Sequence, residues 1–308
     1  MDLSDALGSI AGPHWEVRAA GGGTIVAPGI HRNSSIELHV LPHCGTTVPE
    51  AWLGGNHHED AVSGLVNLMF ANYDAGTSAV AERLILERPL PDRDVVIAYF
   101  NVSRLFLDAN RLDSTGQIPA NPYVGTNDLY RAFQLSHGEA LRERLLLPWI
   151  REVNELIRGG NVEIVYHHHT FERFSRGTRV YDTRPRQERP LGQLFWRKPS
   201  ISESVSQSAG LMPRETLEDA AAWVRAAIEA PHGGVAIDDP LLAPAMPFHG
   251  CTATGLGAND EVWHFVYELR KDALEGPDRL RGWADALGEI RNALWSRRMH
   301  DRQEPGPS

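Results

Sequence analysis

The stretch "VEIVYHHHTF", residues 162–171, decides the fold, because it places strand-forming residues directly after a long helical segment. Its first half is rich in valine, isoleucine and tyrosine, which are enriched in strands. Three consecutive histidines follow, and their position in the middle of the chain argues against a purification tag. Side chains alternate along a strand, so His167 and His169 share one face and His168 lies on the other. The stretch therefore predicts a strand that brings at most two histidines to one site.

Helices and strands alternate along the rest of the chain. Helical spacing of apolar residues predicts helices over 59–72, 127–158, 214–230 and 278–297, with a kink at Pro148. Alternating or continuous apolar runs predict strands within 21–40, 94–100, 162–169 and 263–269. This order predicts a single α/β domain with a mixed, mostly parallel sheet flanked by helices.

The predicted domain covers residues 1–300 and contains one irregular segment. Residues 172–213 are rich in arginine and proline and show no sustained periodicity, so we interpret them as an insertion or lid. Residues 301–308, "DRQEPGPS", have the composition of a disordered tail.

Composition narrows the class of protein. The chain has 308 residues, a formal net charge of −10 and 42% hydrophobic residues. This acidic balance argues against nucleic acids and membranes as partners and favours a small-molecule substrate. Cys44 and Cys251 are the only cysteines. With no signal sequence or transmembrane stretch, the chain is expected in the cytoplasm. Its oligomeric state is not predicted.

Three polar features share a position along their strands. His43 follows "IELHVLP", the histidines follow "VEIVY", and Glu268 lies near the end of "WHFVYEL". Open α/β sheets bind ligands at the carboxyl ends of their strands. If these strands are parallel neighbours, the three features converge on one site.

Two imidazoles and one carboxylate form the usual catalytic zinc site. His43 and His169 supply the imidazoles, and "NHHED" supplies the carboxylate from Glu59 or Asp60, of which we expect only one. Glu268 is then a second carboxylate, not a ligand, that moves a proton to a leaving amine. We expect Zn²⁺, with another divalent metal as the alternative.

Five short motifs, in order, resemble the N-formylglutamate amidohydrolase family, whose fold is of the zinc carboxypeptidase and phosphorylase/hydrolase type. They are "PHCGTTVP", "HHEDAVSGL", "SRLFLDANR", "HHHTF" and "VYEL", spread over roughly 230 residues. The resemblance implies a hydrolase that cleaves the linear amide of a small, acidic N-acyl amino acid with metal-activated water. It places His43, Glu59 or Asp60, and His169 on the metal positions.

The resemblance also assigns the basic segment. Arg104, as a catalytic residue, and Asn110 with Arg111, as substrate-binding residues, fall on it, and Asp108 can orient a guanidinium. Arginine suits this role because its planar fork binds carboxylates bidentately. Two further histidines are candidate substrate contacts: His137 in "FQLSHGEAL" and His249 in "MPFHGC".

The chain departs from the family pattern at several positions. Cys44 and Thr170 replace serines, and His167 replaces the aspartate before the second histidine ligand. His167 cannot act as an anionic partner of the metal ligands. The arginine-rich residues 173–198 have no counterpart, so the substrate is less defined than the reaction.

Other interpretations stay open. His58 and Asp60, with a distant histidine, match the facial triad of an iron-dependent 2-oxoglutarate oxygenase, although long helices disfavour its jelly-roll fold. A degenerate relative that only binds a carboxylate is the other alternative. Glu268 can also be a structural partner of Arg270 or Lys271.

Overall fold

Eight strands form one sheet at the centre of the computed structural model. The structure describes residues 15–28, 35–53, 69, 73–74, 76–86, 90–109, 128–159, 161–171, 173, 188–196, 211–230, 233–238 and 261–303. The strands are β1 Trp15–Ala20, β2 Gly23–Pro28, β3 Ile36–Leu41, β4 Asp94–Phe100, β5 Val162–Phe171, β6 Gly192–Phe195, β7 Val235–Ile237 and β8 Trp263–Arg270.

The strand order is β1-β2-β4-β3-β5-β8-β6-β7. The central strands β4, β3, β5 and β8 are parallel to one another. Towards the edges, β1 pairs antiparallel with β2, β2 with β4, and β6 with β8, while β6 and β7 are parallel. The sheet is therefore mixed with a parallel centre, which confirms the predicted fold class.

The topology contains a switch point between β3 and β5. After β3 the chain adds β4 on one side, and it later adds β5 on the other side. At such a point the two connections leave in opposite directions and open a crevice at the carboxyl ends of the strands, where ligands bind. His43 follows β3 and His169 lies on β5, so both predicted ligands stand at this crevice.

Helices cover both faces of the sheet. They are α1 Glu50–Leu53, α2 Thr77–Leu86, α3 Asp128–Leu141, α4 Leu147–Arg158, α5 Arg214–Ala227 and α6 Pro277–Gln303, with a 3-10 turn at Lys271–Leu274. Apolar residues of α2, α5 and α6 pack with Tyr166 and Tyr267 on one face. Those of α4 pack with Val165 on the other face. The buried strands thus read as nearly continuous apolar runs because both faces are covered.

The predicted helix over 127–158 is interrupted near Pro148. A π-helical turn, Arg142–Leu146, separates α3 from α4, and Pro148 lies in the first turn of α4. Proline has no N–H to donate and its ring crowds the carbonyl four residues earlier, so a regular helix cannot pass through this point. α4 ends at Arg158, and Gly159 is its C-cap residue.

Several predicted boundaries differ from the structure. Strand β1 was not predicted, and the segment 172–213 contains β6, so it is not wholly irregular. Helix α6 continues to Gln303 and takes in the first residues of the expected tail. Of the helix predicted over 59–72, only Met69 lies within the described ranges, and it is helical. The limits of the domain stay a prediction.

Among the described helices, none combines the length and the apolar character that a membrane span requires.

Candidate metal centre

His43 occupies a tight turn after β3. The next residues run beside the end of β4, where the Thr47 N–H donates to the Asn101 carbonyl at 2.9 Å. A Cβ on Gly45 would lie 2.2 Å from the Asn101 carbonyl carbon, so this close approach requires glycine. The turn therefore presents His43 at the carboxyl end of the sheet with little freedom to move.

Asp74 reaches the same place from the start of helix α2. Its N–H donates to the His43 carbonyl oxygen at 3.1 Å, and the Thr77 hydroxyl donates to the Asp74 carbonyl oxygen at 2.7 Å. These bonds tie the residue both to the His43 turn and to the first turn of α2. The Asp74 side chain is held at the crevice by backbone contacts on both sides.

The side chains of His43, Asp74 and His169 form a compact buried group. One carboxylate oxygen of Asp74, Oδ2, lies 3.1 Å from Nδ1 of His43 and 3.2 Å from Nδ1 of His169. One ligand atom from each residue lies within 4.8 Å of the others, and all three residues are buried. Within the described ranges this is the group whose composition and spacing suit a metal ion.

His43 has a second carboxylate partner. Its Nε2 lies 2.8 Å from Oδ1 of Asp108, and the other oxygen of Asp108 accepts a hydrogen bond from Arg104 Nε at 2.9 Å. A carboxylate on the far nitrogen of a ligating histidine fixes the ring orientation and leaves the other nitrogen as an acceptor. Arg104 thus holds Asp108, and its role toward the substrate stays a prediction.

The three side chains shift one another's pKa values. Burial and Arg104 lower the pKa of His43, but the carboxylates of Asp108 and Asp74 raise it by more. The pKa of His43 therefore lies above its usual value. Burial raises the pKa of Asp74, yet the two histidines pull it well below its usual range. Burial lowers the pKa of His169 despite its bond to Asp74. Asp74 is therefore ionised, which suits a cation between the three groups.

This donor set fits a divalent metal ion. Two imidazole nitrogens and one carboxylate oxygen leave a position open for substrate or water, as in catalytic zinc sites. Ligands of a tetrahedral zinc ion lie roughly 3.3 Å apart for bond lengths of about 2.0–2.1 Å, and the two contacts to Asp74 are close to this value. A bound ion is favoured because the same oxygen of Asp74 lies close to a ring nitrogen of both histidines.

Glu268 lies beside His169 on the same face of the sheet. The two residues are direct register partners on the parallel strands β5 and β8. Burial and the negative charge of Asp74 raise the pKa of Glu268 to about 7. Among the described residues neither carboxylate oxygen of Glu268 has a hydrogen-bond partner, so the pairing with Arg270 or Lys271 that was considered is not formed. Arg270 instead bonds Asp272 and Glu188.

His167 shares this face but not the metal group. Its Nε2 lies 3.4 Å from Nδ1 of His264 on β8. Burial and the neighbouring His264 and His169 hold the pKa of His167 well below its usual range, so it is neutral. A neutral His167 supplies no negative charge to His169, as expected for a histidine at the position where the family pattern has an aspartate.

His168 points to the opposite face, as the strand alternation predicts. Its ring bonds Nδ1 of His39 at 2.9 Å and the Tyr267 hydroxyl at 2.6 Å. His39 in turn lies 2.7 Å from Glu37, which pairs with Arg93 and Arg291. The chain from Glu37 to Tyr267 is buried and lies behind His169.

Cys44 stands beside His43 but is a poor nucleophile. Its thiol is buried and lies 3.5 Å from the Leu41 carbonyl oxygen. Burial and the charge of Asp74 raise the pKa of the Cys44 thiol far above its usual value. The reactive thiolate is therefore not available at neutral pH.

Most other predicted site residues cannot be placed. His137 is described: it is exposed on α3, and its Nδ1 lies 2.7 Å from the Ser136 hydroxyl. Its role as a substrate contact stays a prediction. Five further predicted residues, and His58 of the oxygenase alternative, lie outside the described ranges: Glu59, Asp60, Asn110, Arg111 and His249.

Asp74 is the residue that sequence reasoning missed. It lies in "NYDAG", where an aspartate and a glycine before a helix indicate a turn. It is also 31 residues from His43, so only the path of the chain between β3 and α2 brings them together. No signal in a single sequence distinguishes such an aspartate from an ordinary cap.

Comparison with known proteins supports the fold. No protein-family model and no curated protein matches the chain. Solved structures do match. An N-formylglutamate amidohydrolase from Ralstonia eutropha JMP134 has a TM-score of 0.53 and 15% identity, over 90% of this chain and 99% of that one.

Gene product Atu2144 from Agrobacterium tumefaciens has a TM-score of 0.51 and 19% identity, over 94% and 96% of the two chains. Bovine thrombin-activatable fibrinolysis inhibitor is matched at a TM-score of 0.46 and 10% identity, over 96% and 98%.

Together the fold and the site define a class: α/β proteins with a parallel sheet centre and a buried two-histidine, one-carboxylate group at its switch point. The chain shares its fold with a solved N-formylglutamate amidohydrolase over nearly the full length of both proteins, as the motifs predict. At 15% identity this likeness concerns the fold.

Proposed function

We propose that the protein is a metal-dependent amidohydrolase that cleaves the amide of a small N-acyl amino acid in the cytoplasm. The observation that carries the proposal is the combination of two polar features on one face of the sheet. One is the buried His43, Asp74 and His169 group. The other is Glu268, a register partner of His169 whose carboxylate has no hydrogen-bond partner among the described residues. A metal group beside a carboxylate that can exchange protons is an arrangement that supports amide hydrolysis by activated water.

The residues divide the work in this mechanism. His43, Asp74 and His169 hold a zinc or similar divalent ion. When bound, such an ion activates water at neutral pH and polarises a carbonyl. Asp108 keeps the His43 ring in its orientation through Nε2, and Arg104 holds Asp108. The metal ligands are thereby fixed before substrate enters.

Glu268 transfers the proton of the attacking water in this mechanism. Its ionised carboxylate accepts a proton from the attacking water and delivers it to the nitrogen of the leaving amine. Burial raises its pKa to about 7, so the carboxylate gains and loses a proton readily near neutral pH. This property distinguishes Glu268 from Asp74, whose pKa lies well below its usual range.

The test is a hydrolysis assay with purified, zinc-loaded protein and N-formyl-L-glutamate. We expect release of formate and glutamate by the wild type, and a loss of kcat of at least about a hundredfold in Glu268→Gln. Glu218→Gln, an exposed carboxylate on α5, is the matched control and should keep full activity. Equal rates for wild type and Glu268→Gln would reject the assigned role.

An iron-dependent oxygenase is the second candidate. The same donor set, two histidines and one carboxylate, is the facial triad that binds Fe(II). A single sheet with a parallel centre differs from the jelly roll of such enzymes. Turnover of 2-oxoglutarate by the iron-loaded protein, with no hydrolysis by the zinc-loaded form, would favour the oxygenase.

A further inference from the structure

Gln193 extends the row of polar residues beyond Glu268. It lies on β6, directly opposite Glu268 in the antiparallel pairing of β6 and β8. Glu268 is in turn the register partner of His169 on β5. Paired residues of neighbouring strands project to the same face. The side chains of His169, Glu268 and Gln193 therefore stand side by side on the face that carries the metal group.

The Gln193 amide is buried and unsatisfied. The residue has no exposed surface. Within the part of the chain that the structure describes, neither Nε2 nor Oε1 of Gln193 has a hydrogen-bond partner. Burying an amide without partners is unfavourable, and native proteins tolerate it mainly where a ligand or water supplies the bonds. Gln193 is therefore better suited to binding than to packing.

The neighbourhood of Gln193 would suit an apolar side chain. Its strand neighbour Phe195 packs with Val266 and Leu211 in a small apolar cluster. Leucine at position 193 would extend such packing without an unsatisfied amide. An amide is present nonetheless, beside a carboxylate, Glu268, that also has no hydrogen-bond partner among the described residues. Two adjacent polar groups of this kind point to one ligand that reaches both.

We infer that Gln193 is a substrate-binding residue that receives a neutral amide of the substrate next to Glu268. This inference rests on the proposed hydrolase function and names its substrate class: N-acyl amino acids that carry a carboxamide or a further peptide group. A substrate amide offers one acceptor and one donor, which satisfy Nε2 and Oε1 of Gln193 together.

A carboxylate fits this position less well. It only accepts hydrogen bonds, so it leaves Oε1 of Gln193 without a donor. It also adds a negative charge next to Glu268, which must be ionised to act as a base, and adjacent carboxylates repel. Sites that hydrogen-bond a substrate amide reject analogues that cannot return both bonds. The pair of N-formyl-L-glutamine and N-formyl-L-glutamate separates the two cases.

The experiment compares Gln193→Leu with the wild type on these two substrates, using zinc-loaded protein. We expect the wild type to prefer N-formyl-L-glutamine, and Gln193→Leu to lower kcat/KM for it by about tenfold or more, mainly through KM. Metal content should not change. The matched control is Thr170→Val, because the Thr170 hydroxyl is also buried and has no partner among the described residues. Thr170 follows His169 in β5 and so lies on the opposite face, and its variant should keep the wild-type kcat/KM within about twofold.

A stability measurement distinguishes binding from structure. Removing an unsatisfied buried amide should leave the Tm of Gln193→Leu equal to or above that of the wild type, whereas removing a structural partner should lower it. A lower Tm with unchanged kinetics would overturn the inference. So would an unchanged kcat/KM on both substrates.

The two proposals can fail separately. If the wild type hydrolyses neither substrate, the hydrolase function fails, and Gln193 is then tested by calorimetric titration of zinc-loaded protein with N-acetyl-L-glutamine. Binding that weakens about tenfold in Gln193→Leu supports the inference. Equal binding by both proteins, or none by the wild type, overturns it.

Discussion

His43 contacts two carboxylates at once, and these contacts limit its protonation and metal-binding states. Asp74 lies at its Nδ1 and Asp108 at its Nε2. A histidine with carboxylates on both nitrogens is either doubly protonated or bound to a metal at one of them. The neighbouring His169, which shares the same oxygen of Asp74, favours the metal at Nδ1. Asp108 is then the partner that orients His43.

The role of Asp108 predicts a weaker metal site in Asp108→Asn. The amide removes the charge that holds the His43 ring and Arg104, while the ligand atoms remain. We expect metal affinity to fall by about 10–100-fold, the range found for such partners. Competition with a chelator measures this. Asp219→Asn, an exposed carboxylate on α5, is the control and should bind metal as the wild type does.

The role of Glu268 as a general base predicts how the rate depends on pH. A general base works in its ionised form, so kcat/KM should rise with pH as Glu268 loses its proton. Burial and Asp74 raise its pKa from 4.5 to about 7. The acid limb should therefore have a midpoint above 4.5 and no higher than about 7. A rate profile from pH 4 to 9 checks this, and a flat profile over that range would contradict the role of Glu268.

The histidines of the site were predictable from sequence, whereas the carboxylate was not. His43 and His169 are placed by strand patterns and short motifs, because a strand end fixes where a side chain points. The carboxylate was expected at Glu59 or Asp60, which lie outside the described residues. Asp74 reaches the site through a loop and the start of α2, and loop paths leave no periodic signal.

Strand β5 serves two purposes because its three histidines alternate between faces. His169 joins the metal group, and His168 joins a buried chain with His39 and Tyr267. That chain fixes β5 against β3 and β8 directly behind the site. The same strand therefore supplies a residue of the candidate metal group and the support that keeps this residue in place.

The supporting chain predicts the effect of His168→Phe. The change removes one of the two hydrogen-bond partners of the Tyr267 hydroxyl, which Trp283 also contacts, and it leaves a buried nitrogen of His39 without its partner. Each such group costs about 1–3 kcal/mol of unfolding free energy. Denaturant unfolding measures the loss, and Tyr267→Phe is the companion variant. In the double variant the loss should be smaller than the sum of the single losses, and strict additivity would show that the two groups do not interact.

Sequence predicted the central elements and missed those at the edges. β3, β4, β5 and β8 are rich in apolar and β-branched residues because both of their faces are covered, and their few buried polar residues do not hide this pattern. β6 has four residues and lies in an arginine- and proline-rich segment, so no pattern marks it. Its position comes from pairing with β8, which is a property of the folded chain. That pairing is also what places Gln193 beside Glu268.

At the scale of the whole molecule, one buried ion-pair network joins the centre of the sheet to the last helix. Glu37 on β3 pairs with Arg291 on α6, 254 residues away in sequence, and with Arg93 before β4. Burial raises the pKa of Glu37, but Arg291, His39 and Arg93 pull it well below its usual range. A buried carboxylate between two arginines therefore connects distant parts of the fold.

This network predicts a large loss of stability in Glu37→Gln. Removing one member of a buried ion pair leaves the other charge uncompensated and costs about 3–5 kcal/mol. Glu16→Gln, an exposed carboxylate on β1, should cost much less. Urea unfolding at pH 7 measures both variants, and equal losses would contradict the account.

The network also predicts acid sensitivity. The pKa of Glu37 is lowered on folding, so the unfolded chain takes up a proton at higher pH than the folded protein does. The stability from ionised Glu37 is therefore complete above its ordinary pKa of 4.5 and is lost as pH falls below it, through the folded pKa. The difference between wild type and Glu37→Gln should narrow below pH 4.5. A constant difference down to pH 3 would contradict this.

The most direct test of the central claim is metal analysis of protein purified without a tag, for the wild type and for Asp74→Ala and His169→Ala. Elemental analysis after saturation with zinc and removal of the excess should give one equivalent per chain in the wild type and little in either variant. A wild type without stoichiometric metal would contradict the proposed centre. So would metal retained in full by both variants.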